Sequence, residues 1–84
     1  MKQIQYVTEG TCSKLIEVSV DENNVIQQVG FMGGCHGNLQ GISRLVKGMK
    51  VEDAIERLKG IRCGAKPTSC PDQLSRALEQ IKMS

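Results

Sequence analysis

Tryptophan is absent from this 84-residue chain, and one tyrosine and one phenylalanine are its only aromatic side chains. Rings to stack on bases are therefore nearly missing. The 11 Lys and Arg stand against 9 Asp and Glu with no basic run. Nucleic acid is accordingly not an expected partner. No apolar stretch approaches the roughly 18 residues that a membrane span needs. Met1 to Gly10 carry Lys2 but neither the apolar core nor the small-residue cleavage site of a signal peptide. No membrane is expected, and the cytoplasm is the default location. Repeats, low-complexity segments and linkers are lacking too, and two units of about 40 residues would each be too small for a core of their own. Residues 1–84 read as a single domain.

What is present is enough to fold. Ile, Leu, Val and Phe make up 21 residues and charged residues 24% of the chain, too apolar and too mixed in sign for a disordered segment. The core must be built from small aliphatic side chains, and a domain this short has a thin margin unless something staples it. Four cysteines are the candidates. In a reducing cytoplasm an even set of cysteines points to metal binding or thiol chemistry before a disulfide framework.

Lys14 to Val20 alternates, with Ile16, Val18 and Val20 on one face and Glu17 and Ser19 on the other, the period of a half-buried strand. Val25 to Phe31 repeats the pattern with Val25, Val29 and Phe31 inward. The polar cluster Asp21-Glu22-Asn23-Asn24 between them predicts an antiparallel hairpin. Ile4 and Tyr6 add a short third strand. After Gly33-Gly34-Cys35-His36-Gly37 the period becomes helical, with Leu39, Ile42, Leu45 and Val46 as the apolar stripe, Asn38 as N-cap, Gly48 as the stop and Gly41 as a close-packing point. Val51, Ile55 and Leu58 mark a second helix ended by Gly60. The third has Ser69 and Asp72 as a capping box, Pro71 in the first turn, and Leu74, Ala77, Leu78 and Ile81 as its stripe. Strands first and helices after predict an α+β domain: a small antiparallel sheet of about three strands with helices on one face.

Cys12, Cys35, Cys63 and Cys70 all fall in loops or at the ends of these elements, where side chains can converge. Thiolate is the form that ligates soft metals or attacks disulfides, and the amides at a helix N-terminus stabilise it. Cys70 has that placement in the last helix, and Cys35 nearly so. Arg62 and Lys66 add positive charge around Cys63. Four sulfurs suit the tetrahedral sites of zinc or an iron-sulfur centre. The chain has no Cys-x-x-Cys knuckle, and cysteine is also a common core residue. Against core filling, all four lie off the predicted apolar stripes. His36 beside Cys35 reads as a surface histidine, and Asp72 is accounted for by capping. The glycine-rich turn lacks the spacing of a phosphate-binding loop.

Thr68-Ser69-Cys70-Pro71-Asp72 spells the name motif of the TSCPD domain family. Gly33-Gly34-Cys35-His36-Gly37-Asn38-Leu39, Leu45-Val46-Lys47-Gly48 and Cys63-Gly64 resemble that family's other blocks. The family occurs as short four-cysteine proteins and as a C-terminal appendage of adenosylcobalamin-dependent ribonucleotide reductases. Short relatives are often labelled ribonucleoside-diphosphate reductase. Eighty-four residues cannot build a reductase's barrel, cofactor site and radical machinery, so the resemblance implies an accessory to ribonucleoside-diphosphate reduction, with a ribonucleotide reductase or another protein as partner. A fainter similarity is to U-type iron-sulfur scaffold proteins, whose cysteines before the hairpin, after its last strand and at the start of a C-terminal helix correspond to Cys12, Cys35 and Cys70. Val46-Lys47-Gly48 followed by Val51-Glu52-Asp53-Ala54 is similar to the scaffold's join between helices. Lys14 stands where the scaffold has an aspartate, and Ser69 where it has a histidine. Cys63 would replace that histidine, giving an all-sulfur site that retains a metal rather than passing it on.

Three functions are consistent with these residues. The preferred one is a metal-binding domain holding zinc or an iron-sulfur cluster at one site made of Cys12, Cys35, Cys63 and Cys70. The second is a thiol-disulfide module that supplies reducing equivalents to a reductase, with Cys63 and Cys70 as the exchanging pair. The third is a metal-free interaction module whose cysteines serve only the fold.

Overall fold

The computed structural model describes residues 2–8, 13–33, 36–62, 64–65 and 67–83. The alternating run after position 12 becomes the central strand β2 (Ser13–Val20), paired antiparallel with β1 (Lys2–Val7) on one side and β3 (Ile26–Gly33) on the other. Ile4, Val18 and Val29 line up across the three strands, as do Tyr6, Ile16 and Phe31. These rows form the inner face, on which Ile16 and Val18 are wholly buried. The hairpin turn is held by the Asp21 carboxylate, whose Oδ1 accepts from the amides of Asn23 and Val25, each at 2.9 Å. This is the local bonding that makes Asp a turn former.

The inward set of β3 differs from simple alternation. Ser19 faces Gln28 while Val20 faces Ile26, so Gln27 is an extra residue in a β-bulge. The bulge shifts the phase by one, and Ile26, not Val25, joins Val29 in the core with no exposed surface. Val25 instead bridges to Lys50.

The helices are α1 (His36–Val46), α2 (Val51–Leu58) and α3 (Cys70–Met83). Asn38 lies inside the first turn of α1, which begins two residues before the expected cap. Leu39 and Val46 are buried and Ile42 packs against the core, but Leu45 is 78% exposed. Six residues beyond Leu39 at about 100° per residue, Leu45 falls some 120° off that stripe. A side chain at Gly41 would meet nothing within 4 Å, so close packing does not explain that glycine. Gly48 does carry a conformational demand: its φ of +89° ends α1 and lets its amide reach the Ile26 carbonyl at 2.8 Å.

All three helices cover the inner face of the sheet, and no described helix is long and apolar enough to cross a membrane. α3 supplies Leu74, Ala77, Leu78 and Ile81, each without exposed surface, as the predicted stripe requires. α2 adds Val51 and Ala54 and packs against α3. The two run antiparallel, since Lys82 Nζ lies 3.8 Å from Glu52 Oε1 at one end and the Gly60 amide bonds Asp72 at the other. α2 starts beside the β2–β3 hairpin turn, where the Val51 amide donates to the Asn24 carbonyl at 2.9 Å. The end of α2 and the start of α3 therefore lie together, at the far end of the helix pair from Glu52 and Lys82. β2 begins and β3 ends at the end of the sheet away from the hairpin turn.

This packing predicts a sharp contrast within one helix. Leu78→Ala should lower stability by about 2–5 kcal/mol through lost burial and a residual cavity, while Met83→Ala, at an 86% exposed position, should stay within about 0.5 kcal/mol. Urea unfolding of the two variants checks it.

Candidate functional site

The start of α3 is built from polar side chains that are almost all buried. Ser69 is the N-cap: its hydroxyl accepts from the Asp72 amide at 3.2 Å and donates to the Ile61 carbonyl at 2.6 Å. Its carbonyl takes the first helical bond, from the Gln73 amide at 2.8 Å. Half of the predicted capping box is thus present. The other half is put to a different use. Asp72, 5% exposed, accepts from the Gly60 amide at 2.8 Å through Oδ1 and from the Thr68 hydroxyl through Oδ2. Because the Gln73 amide group donates to Thr68 Oγ1 at 3.0 Å, the Thr68 proton is directed to Asp72, and the three side chains form one relay.

Burial pushes the Asp72 carboxyl group up, but the Thr68 and Gly60 hydrogen bonds, with Arg76 and Lys59 nearby, outweigh it and hold the pKa below the ordinary aspartate value. Arg76 Nε is 3.5 Å from Oδ2 on a half-exposed side chain, so it contributes less than the two hydrogen bonds. A cleft of about 250 Å³ beside the network is lined by Lys59, Arg62, Arg76 and Glu79 among others. It places three cations around the junction between α2 and α3.

Of the four candidate ligands, Cys70 is in the first turn of α3, as expected, and is buried at 9% exposure. It is nevertheless not a member of the core cluster, which takes Leu74, Ala77, Leu78 and Ile81 from α3, in keeping with its place off that stripe. Cys12, Cys35 and Cys63 lie outside the described residues. Among the described residues no group of three or more His, Cys, Asp or Glu side chains could hold a metal ion. What is described is where their flanking residues sit. Ser13 and Gly33 face each other across β2 and β3, next to Cys12 and two residues before Cys35 in sequence. Ile61 and Ser69, bonded to each other, are two residues before Cys63 and one before Cys70.

The family model of the TSCPD domain matches residues 1–82. The chain belongs to the TSCPD domain family. No curated protein and no solved structure gives a significant match. In this TSCPD domain the motif letters acquire distinct physical roles. Asp72 accepts from both Gly60 and Thr68, Ser69 caps α3 and holds Ile61, and Pro71 occupies an early helical position whose missing N–H has no intrahelical acceptor to lose. Capping chemistry revealed Ser69 and Asp72 from the sequence. Thr68 entered only as a letter of the motif and Gln73 not at all, because their hydrogen bonds, though they span just four and five residues, follow no capping rule.

Replacing the carboxylate should expose its structural role. Asp72→Asn should cost about 1–3 kcal/mol at neutral pH, as the Gly60 and Thr68 donors lose their charged acceptor. The Asp72 pKa is depressed in the fold, so its stabilisation is present above the unfolded value and is lost as pH falls through the folded one. The gap between wild type and variant in urea unfolding should therefore narrow as the pH is taken below about 4.

Proposed function

We propose that this chain is a small metal-binding domain in which Cys12, Cys35, Cys63 and Cys70 supply four thiolates to one zinc ion or iron-sulfur centre. The observation that carries the reading is topological. Two pairs of element ends that flank the cysteines in sequence are joined: Ser13 faces Gly33 across β2 and β3, and Ser69 is bonded to Ile61. Each of the four cysteines is one or two residues in sequence from one of these four points. Cys70 lies in the first turn of α3 and Cys35 immediately precedes α1 in sequence, and the amides of a helix N-terminus favour thiolate over thiol.

The donor set fits the group. Four soft sulfurs suit zinc and iron-sulfur centres and not calcium or magnesium. When bound, the metal supplies a cross-link between the sheet and α3 in a core otherwise made of small aliphatics. The family's link to ribonucleotide reductases makes an accessory part in ribonucleoside-diphosphate reduction the accompanying role, in the cytoplasm, with a reductase or another protein as partner. A second reading draws on the Ile61–Ser69 bond between residues that flank Cys63 and Cys70 in sequence: these two thiols form a disulfide while reducing a partner's disulfide, the two electrons passing from the pair to the partner.

Elemental analysis and an absorption spectrum of anaerobically purified protein separate these. About one zinc per chain, or a brown iron-containing protein, is the expected result. Chelation should then lower Tm by more than about 10 °C, since several kcal/mol of binding free energy act on a domain where each kcal/mol moves Tm by about 4–8 °C. Cys63→Ser and Cys70→Ser should reproduce that loss, with secondary structure largely kept. Metal-free protein whose Tm is indifferent to chelator, with two titratable thiols that oxidise reversibly, would sink the metal reading in favour of the exchanging pair.

A further inference from the structure

Leu45, the stripe member left out of the core, stands at the edge of a groove of about 540 Å³ between α1 and α2. Met49, Ala54 and Leu58 form its apolar wall, and its ionisable side chains are Asp53 and Arg57, one turn apart on α2. Both are exposed, and among the described residues neither makes an ion pair. We propose that this groove is the contact surface between two copies of the chain, related by a two-fold axis that sets their α2 helices antiparallel.

The charge pattern identifies the occupant. An axis passing midway between Asp53 and Arg57 brings each Asp53 against the partner copy's Arg57, so two opposite-charge pairs form from one surface. A foreign helix would have to carry the reverse pair at the same spacing, whereas a second copy supplies it by symmetry. The apolar parts are self-complementary in the same way: the 78% exposed Leu45 is a knob, and the half-buried Met49 and Leu58 form the hollow that receives it. A formal charge of +2 per chain offers little long-range repulsion to association.

Sedimentation equilibrium of the full chain under reducing conditions, at concentrations up to about 1 mM where even weak association registers, is the test. A concentration-dependent dimer is expected. Asp53→Arg and Arg57→Asp should each weaken it at least about tenfold, because each places two like-charged pairs in the contact. The double variant should recover the wild-type affinity by restoring opposite charges in exchanged positions. Leu45→Glu, on the other helix, should abolish the dimer while leaving the far-UV spectrum unchanged. A wild type that stays monomeric over the whole range overturns the proposal. So does a dimer that ignores Leu45→Glu and the single reversals, or a double variant no better than either single one.

Discussion

The buried carboxylate of Asp72 is the contact on which the candidate end of the domain depends. It takes the Gly60 amide on one oxygen and the Thr68 hydroxyl on the other, tying both ends of the stretch from Gly60 to Thr68 to the first turn of α3. A carboxylate with 5% exposure would be costly without such partners, and hydrogen bonds to a charged group contribute about 1.5–3 kcal/mol each. Those bonds close the chain between α2 and α3 at its neck. The neck in turn determines how α3 is launched across the sheet, and α3 provides four of the wholly buried residues of the core. A polar contact at the helix start and an apolar stripe along its length are thus two parts of one constraint.

Much of this was legible in the sequence because it follows from local rules. The period-2 runs, the polar hairpin turn and the α3 stripe need only neighbouring residues to declare themselves, and each appears in the structure where the pattern places it. The departures share a different cause. Val25 yields its inward place to Ile26 because a bulge at Gln27 changes the phase, and a bulge leaves no mark in an alternating pattern until the partner strand is known. Leu45 looked like a stripe member because apolar residues at two phases overlap within α1, and only packing decides which phase faces the sheet. The Asp72 side chain reaches back to Gly60, 12 residues away, beyond what a capping rule describes. Local signals located the elements and the cap, while tertiary contacts decided what the side chains there do.

The placement of the cysteines makes the proposed centre unlike a zinc knuckle. In a knuckle, two ligands a few residues apart are preorganised by one tight turn, so the metal can order a short peptide by itself. Here the four cysteines belong to four separate connections or element ends. Their meeting requires the β2–β3 register, the closure of the Gly60–Ser69 neck and the seating of α3, all of which rest on apolar burial and the Asp72 network. In the proposed reading folding would therefore precede and create the donor set, and a metal held there would reinforce a structure that already exists. Two consequences follow for the energetics. In the proposed reading the stabilisation by metal would add to that of the core instead of replacing it, and the start of α3, which carries Cys70, would depend on the closure of the neck. The Thr-Ser-x-Pro-Asp framework around Cys70 is then best understood as the support of a binding position rather than as the binding chemistry itself, since its polar groups are spent on the protein's own backbone and side chains.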